Sequence, residues 1–238
     1  MKSALVSAIV FSMLLASTSF AYEVVDVKNG GSIKGKIKAS AKIDDPVLTI
    51  DKDVDFCGKS QPARMYILSP ALEVKNVLVF IEEVQKGKAA PKTNITIDNT
   101  KCYFEPIVGV AFKGANFVIK NSDNILHNTN LGILLKDKRS TVYNLALPTK
   151  DQVITKPIRR GGLHAIKCDA HAWMRAYLYV ADHPYAAVTD ANGNFELKDL
   201  LPGKYKVTIW HEGFAEVTKE VEVAEGKASD LSVTLSKK

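Results

Sequence analysis

The sequence predicts an all-β protein built as two β-sandwiches, one larger than the other. Three observations carry this. Helix signals are nearly absent beyond residue 21, and short alternating runs rich in Val, Ile, Tyr and Phe recur instead. Gly, Asn, Asp and Pro break those runs at short intervals. The chain has 238 residues, which leaves room beyond a leader for one large β domain or two smaller ones.

The leader comes first. Lys2, an apolar run from Ala4 to Ala16, and Ser17-Thr-Ser-Phe-Ala21 read as an export signal cleaved after Ala21. The apolar core is shorter than the ~20 residues of a membrane-spanning helix. A retained N-terminal anchor is the alternative. No later stretch is long or apolar enough to span, so the mature chain is expected to be periplasmic or secreted, without a membrane span.

Strands are expected at Ser32 to Ala39, Val77 to Glu82, Asn116 to Lys120, Thr141 to Leu145, Ala176 to Val180, Tyr205 to Trp210 and Lys219 to Val223. Val74 to Gln85 has helical length, but its β-branched run favours a buried strand. The chain divides near Asp182-His183-Pro184. Beyond it, Val188 to Leu197 is expected to form a hairpin turning at Asn192-Gly193, a pair that tolerates positive φ. The division expected is a signal peptide at 1–21, N-terminal strands at 22–101 able to complete either sandwich, a first sandwich at 102–182 and a second at 183–238. The last segment is small for independent folding, so it should pack on the rest or borrow strands.

Charge narrows the function classes. The formal net charge is +6, and loss of Lys2 with the leader lowers it by one. Lysines are scattered among acids, which fits a solvated surface and argues against nucleic-acid binding.

The cysteines say more. Of three, Cys57, Cys102 and Cys168, an exported protein leaves one over as a reactive thiol or a ligand. Cys168 stands in Cys168-Asp-Ala-His171-Ala-Trp-Met174, beside an imidazole and a thioether. Cys57 and Cys102 are then free to pair, closing a loop of about 46 residues worth about 3–4 kcal/mol; two unpaired thiols are the alternative. His127-Asn128 lies upstream. A thiolate, two imidazoles and a thioether form the donor set of a trigonal His₂Cys copper site with a weak axial Met. Zinc is the rival ion, although its structural sites seldom use thioether. His164 falls on the same strand as Cys168 but about 13 Å away at ~3.3 Å per residue. His183 and His211 in the tail read as surface or core histidines, with a second metal site between them as the alternative.

Gly114 to Val180 resembles the cupredoxin family through Phe117-Val-Ile-Lys-Asn-Ser-Asp, His127-Asn128, Gly161-Gly162 and the Cys168–Met174 loop, with Cys102-Tyr-Phe-Glu-Pro106 as an earlier strand. The C-x2-H-x2-M spacing and the Met174 to Val180 continuation are similar to amicyanin, and plastocyanin shares the fold. The resemblance implies a Greek-key sandwich holding one type 1 (blue) copper through His127, Cys168, His171 and axial Met174. It gives Asn128 a backbone amide bond to the ligand sulfur. No second cysteine lies in the loop, and Lys167 and Asp169 flank Cys168, which implies a mononuclear carrier rather than an oxidase.

Residues 184–238 look like a carboxypeptidase regulatory-like domain, a transthyretin-type sandwich, through Thr189-Asp190, Gly193-Asn-Phe195 and Pro202-Gly-Lys-Tyr205. The opening strands of that module are missing just upstream, yet Gly31-Ser-Ile-Lys-Gly35-Lys-Ile-Lys has their form. The small sandwich is therefore expected to be discontinuous, with the copper domain inserted into it. The function expected is an exported electron carrier, not an enzyme, serving a redox partner such as a cytochrome or a dehydrogenase. Electrons would pass at the His171 edge beside a docking patch of Ala172 and Trp173, although Trp173 could equally serve the core. The rivals are a copper-delivery protein and a non-metal interaction protein of the envelope.

Overall fold

The structure is a computed structural model that describes residues 22–238, so the expected leader lies outside the described residues. Two continuous apolar runs dictate the layering. Leu78–Ile81 is buried at every position. Strand alternation sends Leu78 and Phe80 into one apolar cluster and Val79 and Ile81 into another. A strand buried on both faces needs a packed layer on each side. Arg175–Ala181 repeats the arrangement one layer away. Its Ala176, Leu178 and Val180 face a third cluster, and Tyr179 and Ala181 face the cluster that holds Leu78.

The result is two β-sandwiches stacked face to face. The first sheet runs Val153–Pro157, Asn116–Asn121, Ile95–Thr100, Tyr103–Glu105. The second runs Arg139–Leu147, His127–Leu134, Gly162–Lys167, Arg175–Ala181, Val108–Phe112. The third runs Ala186–Val188, Leu78–Ile81, Gly203–His211, Phe214–Val223. In the fourth, Gly31–Ala39 pairs with Asn194–Leu200 on one side and with Ala228–Asp230 and Val233–Leu235 on the other. Between the sandwiches Phe80 stacks on Tyr179 with ring centroids 3.8 Å apart, and Tyr177 meets Trp210 edge-on at 5.0 Å. Arg175 Nε donates to Glu212 Oε2 across the same junction at 2.6 Å.

The expected strands all form, and the all-β class holds. The strands between residues 22 and 101 are shared out: Ile95–Thr100 joins the first sandwich, while Gly31–Ala39 and Leu78–Ile81 join the second. The small sandwich is thus discontinuous in sequence. The expected hairpin is not one. Ala186–Val188 pairs with Leu78–Ile81 in the third sheet, and Asn194–Leu200 pairs with Gly31–Ala39 in the fourth. The turn at Asn192-Gly193 therefore carries the chain from one sheet to the facing one. Asp190 Oδ1 accepts the Asn192 and Asn194 amides, and Gly193 takes φ +69° with its carbonyl bonded to the Ile37 amide. A side chain there would run into the Ile37 carbonyl, so close approach to a borrowed strand, rather than a hairpin, explains the glycine.

One excursion bears on function. Val47–Thr49 and Ser60–Pro62 pair antiparallel and bracket the short helix Val54–Cys57. Cys57 is disulfide-bonded to Cys102, with Cα atoms 5.7 Å apart. This strap also meets the first sheet where Gln61 Nε2 donates to the Cys102 carbonyl and Tyr103 donates to the Pro62 carbonyl. No helix among the described residues is long and apolar enough to cross a membrane.

Candidate metal centre

The centre is assembled from the second sheet. His127 opens the strand His127–Leu134, and Cys168 follows directly on Gly162–Lys167. These strands are antiparallel neighbours with Asn130 opposite Lys167, so their ends bring residue 127 beside residue 168. The intervening loop is closed on itself: the Met174 amide donates to the His171 carbonyl at 3.0 Å and the Cys168 amide to the Met174 carbonyl at 3.3 Å. Lys167 and Arg175 then pair as the sheet resumes.

Three donors converge. His127 Nδ1 and His171 Nδ1 lie 3.1 Å apart, and Cys168 Sγ lies 3.6 Å from His171 Nδ1. One donor atom from each residue falls within 4.8 Å of the others. Both histidines are fully buried and Cys168 is 3% exposed. Met174, also buried, packs in the same apolar cluster as Cys168. The Asn128 amide donates to Cys168 Sγ at 3.3 Å, and Asn128 Oδ1 accepts the Asp169 amide. The strand that begins at His127 and the Cys168–Met174 loop are thereby tied together at the sulfur.

The far side of each imidazole is held by a carboxylate. His127 Nε2 lies 2.9 Å from Asp123 Oδ2, and His171 Nε2 lies 2.8 Å from Asp53 Oδ2. An ionised carboxylate only accepts, so in the neutral rings the proton sits on Nε2 and both Nδ1 lone pairs face inward, and a proton added at Nδ1 is directed toward Cys168 Sγ. Asp123 is itself anchored by the Lys101 and Cys102 amides at 2.7 and 2.9 Å.

Electrostatics favour an anionic sulfur. Burial pushes the Cys168 thiol up, but hydrogen bonds from His127, His171 and the backbone amides of Asn128 and Ala170 outweigh it and bring the thiol down to about 6. Burial lowers His127, yet its bonds to Asp123 and Cys168 leave it above its ordinary value. Burial likewise raises Asp123, and the His127 ring and the two turn amides pull it below the usual carboxylate range. Two inward lone pairs and an easily ionised sulfur within bonding reach of one another repel unless a cation or shared proton sits among them. The donor set fits a soft or borderline metal ion such as copper.

The structure brings together His127, Cys168, His171 and the amide of Asn128, and it buries Met174 beside them. It corrects the expected electron port. His171 does not reach the surface; Asp53 and the strap cover its outer edge. Ala172 is exposed, but Trp173 is half-buried against the core, its ring 5.0 Å from His171. Among the described residues the His171 ring is therefore not open beside Ala172 and Trp173. His164 is turned to the Gly162 carbonyl and stays outside the centre. His183 and His211 sit in separate aromatic surroundings, with Tyr22 and Tyr185 in one case and Tyr66 and Phe214 in the other. Neither belongs to a three-donor group among the described residues. Sequence reading missed Asp53 and Asp123. Asp123, four residues before His127, was within local reach; nothing local links Asp53 to His171.

Comparison with protein families matches residues 175–236 to the carboxypeptidase regulatory-like domain. The match begins in a strand of the second sheet, and Gly31–Ala39 and Leu78–Ile81, which complete the small sandwich, lie outside it. No curated protein matches. Among solved structures, the Cu-containing nitrite reductase NirK of Thermus scotoductus SA-01 is similar at 15% identity over 42% of this chain, TM-score 0.32. This chain spans 25% of that reductase. A purple cupredoxin from Nitrosopumilus maritimus is similar at 19% identity over 37% of this chain and 99% of its own, TM-score 0.32. A reduced amicyanin variant is similar at 17% identity over 39% of this chain and 86% of its own, TM-score 0.32.

Proposed function

We propose that the chain is an exported protein that holds one copper ion and passes single electrons between redox partners, without itself being an enzyme. His127, Cys168 and His171 would hold the ion, with the Met174 thioether as a weaker fourth donor. The observation that carries this reading is the convergence of two inward Nδ1 atoms and Cys168 Sγ, with both Nε2 atoms already committed to carboxylates. Copper held by these residues would supply one-electron chemistry between Cu(II) and Cu(I). The protein's part is to hold the donors still, so that neither oxidation state demands rearrangement. Asn128 tempers the charge on sulfur, and Asp123 and Asp53 fix the ring orientations.

Burial of all three donors favours retention of the ion over delivery, because a delivered ion needs an open ligand edge. The expected partner is a redox protein such as a cytochrome or a dehydrogenase, met in a small and short-lived interface. The regulatory-like sandwich is read as a spacer or binding module packed on the copper domain.

Addition of Cu(II) to the metal-free protein should produce the intense visible band of thiolate-to-copper charge transfer and the narrow copper hyperfine splitting of a type 1 site. Cys168→Ala should abolish both. A colourless complex, or one unchanged by Cys168→Ala, defeats the reading. Bound copper lost readily to a chelator, without reversible reduction, would favour delivery.

A further inference from the structure

We infer that Asp53 is a positioning residue for His171, held across that ligand's outer edge by the Cys57–Cys102 disulfide. The inference rests on the copper reading above and deepens it: it names what seals the centre and what keeps the seal in place.

The first observation is a carboxylate diverted from its local task. Asp53 occupies the cap position of the helix Val54–Cys57, where an Asp ordinarily accepts an amide of the first turn. It makes no such bond and stands in the left-handed region at φ 50°, ψ 38°. Residues with a side chain seldom adopt that conformation without something that holds it. Its Oδ2 lies instead 2.8 Å from His171 Nε2, 118 residues away in sequence. His171 is fully buried, whereas the Asp53 side chain is 39% exposed. The carboxylate is thus the layer between the ligand and solvent.

The second observation is how that layer is fastened. The helix buries none of its residues, so apolar packing holds it weakly. Cys57, at its end, is bonded to Cys102. Cys102 lies in the turn after Ile95–Thr100, and its amide donates to Asp123, the carboxylate on the other imidazole. The partners of both ligand rings are therefore joined through a single covalent cross-link. The strap's remaining ties, from Gln61, from Tyr103 and from the Arg64–Glu105 ion pair, reach the same short hairpin.

The test begins with the full-length metal-free chain at one fixed pH, by long-range ¹H–¹⁵N imidazole spectra. Wild type should show His171 as the Nε2–H form, with ring-proton exchange slowed. Asp53→Ala should speed that exchange at least about tenfold and mix the tautomers. Asp53→Asn, which keeps an acceptor oxygen and guards against misfolding in the alanine variant, should largely restore the wild-type pattern. A Cys57→Ser/Cys102→Ser double variant should behave as Asp53→Ala although Asp53 is intact. In the copper-loaded protein, transfer of the ion to a chelator should accelerate about 10–100-fold in Asp53→Ala and in the double variant. Unchanged imidazole exchange and unchanged copper release in Asp53→Ala would overturn the inference while leaving the copper reading standing. A chain whose imidazole signals respond to Asp53→Ala but which binds no copper would sink the copper reading alone.

Discussion

Removal of the Asp123 carboxylate tests whether fold and centre share one support. Asp123 is 4% exposed and accepts three hydrogen bonds, from the Lys101 amide at 2.7 Å, the Cys102 amide at 2.9 Å and His127 Nε2 at 2.9 Å. Lys101 and Cys102 both have positive φ, 53° and 59°, although neither is Gly or Asn. Each costs about 1–2 kcal/mol, which the carboxylate offsets by binding both amides. In Asp123→Ala the Lys101 amide can turn to water, because Lys101 is exposed. The Cys102 amide and the His127 ring proton cannot, and each stranded buried donor costs about 1–3 kcal/mol. The expected loss is about 3–5 kcal/mol, read from urea unfolding of the metal-free protein at neutral pH. Asp123→Asn, with one acceptor oxygen for three donors, should fall between. The folded carboxyl is depressed, so its stabilisation is complete above the ordinary value of 3.8 and is withdrawn as pH falls through the folded value. Asp123→Ala should therefore flatten the acid limb of stability below about pH 4. A loss under about 1 kcal/mol, with an unchanged acid limb, would refute the reasoning.

Met174→Leu should keep the visible copper band and raise the reduction potential, measured by redox titration, since loss of a weak donor destabilises Cu(II) more than Cu(I). His211 is 2% exposed, and burial brings it down to about 4, against the backbone of Met65 and aided by Lys238 and Arg175. Its neutral form is the one folded, so its contribution is full above about pH 6.5 and is lost as pH falls to about 4, at most about 3 kcal/mol. His211→Gln should remove that part of the pH dependence of the urea midpoint. Thr189 Oγ1 accepts the Val77 amide at 2.9 Å and donates to the Val74 carbonyl at 2.7 Å, 2% exposed. Thr189→Val strands two buried backbone groups and should cost about 2–4 kcal/mol by denaturant titration, with copper binding retained.

The sequence by itself determined the all-β class and the main strands, and it placed imidazole, thiol and thioether side chains at 127, 168, 171 and 174. Each of these is written locally: period-two apolar runs specify strands, and the tight Cys168–Met174 spacing lets one loop present several donors. It also pointed to Gly31 to Lys38 as a strand of the distant small sandwich, because the glycine and apolar spacing matched the missing edge. Tertiary structure alone decided the rest. Asn192-Gly193 has turn chemistry in any setting, and only the pairing partners, Leu78–Ile81 before it and Gly31–Ala39 after it, make it a crossing between sheets. Leu78–Ile81 reads as a buried strand in one dimension, but the two layers that bury it are chosen by packing. Asp53 and His171 are 118 residues apart, and a single hydrogen bond leaves no periodicity or motif for a linear reading to detect. The covering of His171 therefore belongs to the folded chain, where a disulfide carries a carboxylate to a ring that local sequence would have left at the surface.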